Sequence, residues 1–218
     1  PFSVLFRGCS TLVLYEIGVV AALQELSPDI LKSASRIYGS SSGSVLATLI
    51  LCEWNAGKGS SVWKFWSCKR SFFVQLSLIG KICKILKDFL NKYLPMNAHQ
   101  LVSGKLHVIL THVRDCRSVL VSEFASREDL IQAIICSCFV PLCIGILPPV
   151  YHGVRYMDGE FGMWRANFVS RTTITVSSFA GEYDICPRDG PAAFFTFQLS
   201  DCILQISKRN IYRLQCVF

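Results

Sequence analysis

Gly39-Ser40-Ser41-Ser42-Gly43 is a Gly-x-Ser-x-Gly pentapeptide set between a short strand signal, Ile37-Tyr38, and the apolar run Val45 to Leu51. A serine at the tip of a strand-to-helix turn sits in strained backbone geometry, and glycines on either side remove side chains that would collide there. Ser41 is therefore a candidate nucleophile, with Gly39 and Gly43 as the elbow glycines and a following helix that aims its positive end at the hydroxyl. A run of serines between glycines is also ordinary loop composition, so the flanking strand and helix carry the reading.

A serine hydroxyl needs a base to take its proton. The histidines are His99, His107, His112 and His152. The last of them precedes Asp158, so a Ser, acid, His order would need Asp115 or Asp129 as its acid, and no clear triad emerges. His107 and His112 sit in or beside a strand and read as structural; His152, next to Gly153, reads as an exposed turn residue. Asp158 is the better candidate. It follows the strand-like Val154-Arg155-Tyr156-Met157 directly, and Gly159 after it lets the backbone turn sharply, although Asp-Gly is also a common turn.

The elements that would position these groups alternate. Phe2 to Phe6 reads as a strand, Arg7 to Thr11 as a turn and Leu12 to Leu26 as an apolar helix. Asp29 to Ala34 is a short helical link into the elbow strand, and the elbow helix runs to about Cys52. Lys105 to Thr111 and Ser118 to Phe124 alternate as a hairpin. Ser126 is a helix N-cap with Asp129 as a weak capping-box partner, for a helix reaching about Phe139 before Pro141. Ile144 to Val150 is apolar and broken by Pro148-Pro149, Asp158-Gly159 is a turn, and Thr172 to Ser177 is a further strand. Such alternation predicts an α/β layered fold with a mostly parallel central sheet flanked by helices, its site outside the carboxyl ends of the strands. Ser41 and the Arg7 to Thr11 turn both fall at that edge.

At 218 residues, 51% apolar and 17% charged, the chain can bury one substantial core. No repeat or linker divides it, so residues 1–218 are expected to form a single domain, core about 2–177, with 178–218 as a C-terminal extension. No apolar run approaches the roughly 18 residues of a membrane span, and no basic region followed by a cleavable apolar stretch opens the chain. The start at Pro1 and the end at Phe218, within a helix-like pattern, suggest truncation of a longer product. The cysteine count of 11 is odd, there is no Cys-x-x-Cys, and most of these residues lie in apolar runs. They read as buried reduced thiols in a cytosolic, reducing compartment.

The net charge of +7 is concentrated, since Lys58 to Lys92 holds eight lysines and arginines against the single acid Asp88. Trp63, Phe65, Trp66, Phe72 and Phe73 stand in the same segment. Ile82, Ile85, Leu86, Phe89 and Leu90 follow at helical spacing, with Lys81, Lys84 and Lys87 interleaved. A basic amphipathic helix can lie on an anionic or lipid-droplet surface; a helix packed on the domain with a solvated basic face explains the same pattern. No nucleic-acid motif accompanies the charge, and no metal-ligand cluster or nucleotide motif is visible, so no cofactor and no metal are predicted.

The constellation resembles the patatin-like phospholipase domain family, in the branch containing adipose triglyceride lipase and adiponutrin, and most of all that branch's epidermal acylceramide-forming member. Besides the elbow, the residues that carry the likeness are Ser103 to Val108, Val121 to Phe124, Cys136-Ser137-Cys138-Phe139-Val140-Pro141, Pro148-Pro149, Gly153 to Gly159, Thr173 to Ser177 and Tyr183 to Pro187. The resemblance implies a three-layer patatin-like fold and a Ser-Asp dyad, with Ser41 as nucleophile, Asp158 as base and an acyl-enzyme between two half-reactions. The turn Gly8-Cys9-Ser10 would supply oxyanion N–H donors, and the apolar residues around Leu130 to Leu147 would line an acyl channel. The sequence departs from the family at that turn, where Gly-x-Gly-x-x-Gly is reduced to its first glycine, Ser10 replacing the second and Val13 the third. It departs again at the acid motif, Asp158-Gly159-Glu160, where Glu160 replaces a small residue and is expected to raise the pKa of Asp158 and crowd the site. An Asn-x-Pro element is missing around Gly162 to Asn167.

The expected function is hydrolysis or transfer of acyl esters of neutral lipids or phospholipids at a lipid surface, by a cytoplasmic protein peripheral on lipid droplets or membranes. Its partners would be the acyl lipid, that surface through the Lys58 to Lys92 segment, and a protein coactivator, with no nucleic acid. The alternative is a catalytically impaired paralogue that serves as a lipid-droplet or membrane binding module.

Overall fold

The computed structural model describes residues 1–54, 81–163, 172–189, 196–199 and 202–217. Strand β1 (Ser3–Phe6) leads through a single 3-10 turn (Ser10–Leu12) into helix α1 (Val13–Leu26) and the short α2 (Pro28–Ser33). Then come β2 (Arg36–Ser40), α3 (Ser42–Leu51), α4 (Lys81–Tyr93), α5 (Ala98–Val102), β3 (Leu106–His112), β4 (Ser118–Val121) and α6 (Arg127–Ser137). The chain continues with β5 (Val150–Tyr151), β6 (Val154–Asp158), α7 (Gly159–Met163), β7 (Thr173–Val176), a small hairpin of β8 (Thr196–Leu199) and β9 (Cys202–Gln205), and α8 (Lys208–Val217).

The central sheet has the order β5-β6-β3-β2-β1-β7, with β4 also paired to β3. Its middle, β3-β2-β1-β7, is parallel, while β4 and β6 run antiparallel to β3. Both faces of the central strands are covered, which is why β1 and β3 read as apolar runs and not as apolar-polar alternation. The strand period of two still sorts the side chains. Val4, Phe6, Leu106, Val108 and Leu110 join the large core beneath α1, α3, α4 and α6, whereas Leu5 and Ile109 point the other way onto Met163 of α7.

Local signals match their elements. The Ser126 hydroxyl accepts the Asp129 N–H at 3.1 Å, and the Asp129 carboxylate takes the N–H of Ala125, one residue ahead of the cap. One expectation is corrected. Asp158 is the last residue of β6 and Gly159 the first of α7, so Asp-Gly is a strand-to-helix junction and not a free turn. Of the two explanations of the basic amphipathic pattern, α4 follows the packed one: Leu86, Phe89 and Leu90 are buried in the core while Lys84 and Lys87 are exposed, so its apolar face is already used by the domain and a basic face is left to solvent. Lys58, Lys64, Lys69, Arg70 and the aromatics from Trp63 to Phe73 lie outside the described residues, as does Arg165 to Asn167.

Among the described residues, no helix is long and apolar enough to cross a membrane. The described cysteines Cys9, Cys52, Cys83, Cys116, Cys136, Cys138, Cys143, Cys186 and Cys216 are free thiols.

Candidate active site

Ser41 stands between β2 and α3 with φ 52° and ψ −129°, a backbone conformation that L-residues avoid at a cost of order 1–3 kcal/mol. The surroundings enforce it. Its N–H donates to the Ser137 hydroxyl at 2.9 Å, and that hydroxyl donates to the Ile109 carbonyl at 2.7 Å, which ties the elbow to α6 and β3. Its carbonyl accepts the Ser44 hydroxyl at 2.6 Å and the Ser44 N–H at 2.9 Å. The two elbow glycines are sterically obligatory: a Cβ on Gly39 would lie 2.5 Å from the Ser44 Cα, and one on Gly43 would lie 2.3 Å from the Phe6 carbonyl oxygen.

Asp158 arrives from a distant part of the sequence. Its N–H donates to the Phe139 carbonyl at 2.8 Å, and its carbonyl accepts the Thr111 hydroxyl at 2.7 Å. The backbone is thereby fixed at the edge where Ser41 sits. The carboxylate stands close enough to the Ser41 hydroxyl for that hydroxyl to favour its charged form, and its Oδ1 accepts the Glu160 N–H at 3.0 Å. Burial pushes the Asp158 pKa from its ordinary value up to about 7, against the opposing pull of the Ser41 hydroxyl and the Glu160 N–H; the Glu160 charge adds to the rise as the smallest cause. A carboxylate with a pKa near neutrality, beside a strained serine, is suited to proton removal at that serine.

The N–H groups of the turn after β1 are occupied from within. The Gly8 N–H donates to Glu160 Oε1 at 2.7 Å, and the Cys9 N–H donates to the Ser42 hydroxyl at 3.0 Å. Glu160 Oε2 receives Arg7 Nη2 at 2.6 Å and Arg7 Nε at 3.2 Å, while Arg7 Nη1 donates to the Tyr183 hydroxyl at 2.9 Å. A Cβ on Gly8 would meet the Ser41 Cβ at 2.7 Å and the Glu160 Cγ at 2.8 Å, so the turn, Ser41 and Glu160 converge on one point. Ser10 has φ 50°, the left-handed conformation that a glycine would hold without strain. Glu16 of α1 is fully buried beside the Cys9 thiol, and burial, followed by the Glu160 charge, raises its pKa well above the ordinary value.

The structure thus gathers Ser41, Asp158, Gly8, Cys9, Gly39, Gly43, Gly159 and Glu160 at one sheet edge. It directs Glu160 mainly onto Gly8 and Arg7 and not onto Asp158. Sequence reasoning missed Arg7, Thr111, Ser137 and Tyr183; Ser137 and Tyr183 stood inside segments that carried the family likeness, which was the one signal available. The histidines bond elsewhere: His107 with the Lys105 carbonyl, His112 with Asp115 and His152 with Asp129. Among the described residues no group of three His, Cys, Asp or Glu could hold a metal ion.

A mostly parallel central sheet flanked by helices, with Ser41 and the buried Asp158 at one edge, places the protein among layered α/β proteins. The family profile described as Patatin-like phospholipase matches residues 4–167, and the chain belongs to that family. Omega-hydroxyceramide transacylase of Homo sapiens is 42% identical over 217 residues, covering 98% of this chain and 41% of the relative. Patatin-like phospholipase domain-containing protein 2 of Homo sapiens is 37% identical over 98% of this chain and 43% of its own. 1-acylglycerol-3-phosphate O-acyltransferase Pnpla3 of Mus musculus is 37% identical over 98% of this chain and 52% of its own. The chain therefore spans about two-fifths to a half of the length of these relatives. Among solved structures, VipD from Legionella pneumophila aligns with a TM-score of 0.46 and 12% identity, over 80% of this chain and 49% of that one.

Proposed function

We propose that the chain is a lipid acyl hydrolase or acyltransferase that works through Ser41 and Asp158. Asp158 takes the Ser41 proton as Oγ attacks the ester carbonyl carbon, and the tetrahedral oxyanion is received at the Gly8 N–H. Collapse expels the alcohol, which takes the proton back from Asp158, and leaves an acyl group on Ser41. Water or an acceptor alcohol, deprotonated by Asp158, then attacks that acyl group. Ser41 recovers its proton, and a free acid or a new ester departs. The observation that carries the reading is the strained Ser41 set beside a buried carboxylate whose pKa lies at about 7.

Acyl esters of neutral lipids or phospholipids are the substrate class, consistent with relatives named as a ceramide transacylase and an acylglycerol-phosphate acyltransferase. The solvated basic face of α4 with Lys84 and Lys87 suits a peripheral position on a lipid-droplet or membrane surface in the cytoplasm. A protein coactivator belongs to the same proposal. The test is labelling of the folded protein with a fluorophosphonate: a Ser41→Ala variant of unchanged thermal stability that still labels contradicts the reading.

A specific observation favours the second reading, a binding module of low catalytic power: the Gly8 N–H is bonded to Glu160. Surface binding that survives Ser41→Ala but is lost when Lys84 and Lys87 are neutralised would support it.

A further inference from the structure

Oxyanion donors act when they lie about 2.7–3.1 Å from the position a developing alkoxide will take. The Gly8 N–H already has an anion there, since Glu160 Oε1 stands 2.7 Å from it. The second carboxylate oxygen is gripped by two nitrogens of Arg7, at 2.6 and 3.2 Å, and the Arg7 side chain is only 8% exposed. Tyr183 fixes the guanidinium from its other side. Charge-assisted bonds of this kind are roughly twice as strong as neutral ones, so Glu160 is firmly anchored through both carboxylate oxygens.

The backbone beneath Glu160 cannot carry it away. A Cβ on Gly159 would fall 2.3 Å from the Ile109 carbonyl oxygen and one on Gly162 2.6 Å from the Ser118 hydroxyl, so α7 lies hard against β3 and β4. The Gly162 N–H is also bonded to Thr111 at 2.8 Å. Release must come from rotation of the Glu160 side chain, breaking its bonds to Gly8 and Arg7 while α7 stays seated.

We infer that Glu160 is a positioning residue that acts through Gly8: its carboxylate is the resting ligand of the oxyanion donor, clamped there by Arg7, and no ester can be attacked until it swings out. This rests on the proposed Ser41 chemistry. It differs from a merely electrostatic effect of Glu160 on Asp158, because it depends on reach. An aspartate at the same position keeps the negative charge two residues from Asp158 but is one methylene too short to hold both Gly8 and Arg7.

The experiment measures the rate of fluorophosphonate labelling of the full chain for wild type, Glu160→Ala, Glu160→Asp, Glu160→Gln and the double variant Ser41→Ala/Glu160→Ala, with thermal unfolding curves to establish that each is folded. Occupancy predicts that Glu160→Ala and Glu160→Asp both label roughly tenfold faster than wild type, or more, as expected for a donor returned to the oxyanion. Glu160→Gln, which retains the length and a carbonyl acceptor for the Gly8 N–H, falls between them and wild type. Equal rates in wild type and Glu160→Ala overturn the inference and leave the Ser41 reading standing. So does a fast Glu160→Ala with a Glu160→Asp as slow as wild type, which assigns the effect to charge alone. If no folded variant labels, both fail. Labelling of the double variant refutes the Ser41 reading by itself.

Discussion

Replacing Asp158 by asparagine removes the carboxylate on which the proposed proton transfer depends. Its pKa rises from the ordinary 3.8 to about 7 in the fold, chiefly because burial penalises the charged form. The folded chain therefore binds a proton that the unfolded chain has released across that whole interval, and stability must fall as pH rises through it. The contribution of Asp158 is most favourable below the unfolded pKa, declines by about 1.36 kcal/mol per pH unit and levels off above the folded pKa. A shift of about three units amounts to about 4 kcal/mol, of which about 2 kcal/mol lies between about pH 5 and pH 7. Asparagine keeps an oxygen for the Glu160 N–H and carries no charge at any pH. Urea denaturation of both proteins at about pH 5, 6, 7 and 8 should show Asp158→Asn gaining stability over wild type by about 3 kcal/mol across that range, with little further change above about pH 8. In parallel, wild-type reactivity toward a fluorophosphonate should rise with pH about a midpoint of about 7, and the variant should be unreactive. A stability difference that does not vary with pH, or that moves in wild type's favour as pH rises, would refute the claim that Asp158 is a desolvated base.

Other perturbations probe the frame around the dyad. Gly43→Ala should destabilise by about 3 kcal/mol or more, the upper end of overpacking effects, because its Cβ would meet the Phe6 backbone at 2.3 Å; Gly18→Ala, with nothing within 4 Å, should add about 0.5–1 kcal/mol, both read from urea midpoints. Ser10→Gly should raise stability by about 1 kcal/mol and the melting temperature by about 2–4 °C, since glycine relieves the φ of 50°. Ser137→Ala leaves the Ser41 N–H and the Ile109 carbonyl without their hydroxyl partner and should cost about 1–3 kcal/mol in denaturation, with slower labelling of Ser41 as the elbow loosens.

The backbone was legible wherever the signal was local. The β1-turn-α1 opening, the elbow from Gly39 to Gly43, the Leu106 to Val121 hairpin and the Ser126 cap are each specified by residues within a few positions of one another, and each forms as expected. The site contacts are long-range. Ser137 meets Ser41 across 96 residues and Arg7 meets Glu160 across 153, and only the order β6-β3-β2-β1 brings these side chains to one edge. Glu160 shows the limit most clearly. Its nearness to Asp158 along the chain suggested pKa perturbation, which is the smallest cause of the rise, whereas the side chain itself, once Gly159 starts α7, turns toward Gly8, where Arg7 attracts it. The basic amphipathic helix α4 is the converse case: its periodicity was visible, but whether the apolar stripe faced lipid or protein depended on α6, against which α4 lies, and Leu86, Phe89 and Leu90 are buried in the core.

The central claim is that Ser41 carries the acyl group between the two half-reactions. The most direct measurement is an acid quench during turnover of a chromogenic long-chain ester by wild type and Glu160→Ala, followed by peptide mass mapping. The account predicts one acyl adduct, on Ser41, absent from Ser41→Ala and more abundant in Glu160→Ala than in wild type. Ester turnover with no adduct at Ser41, or turnover that persists in Ser41→Ala, would contradict it.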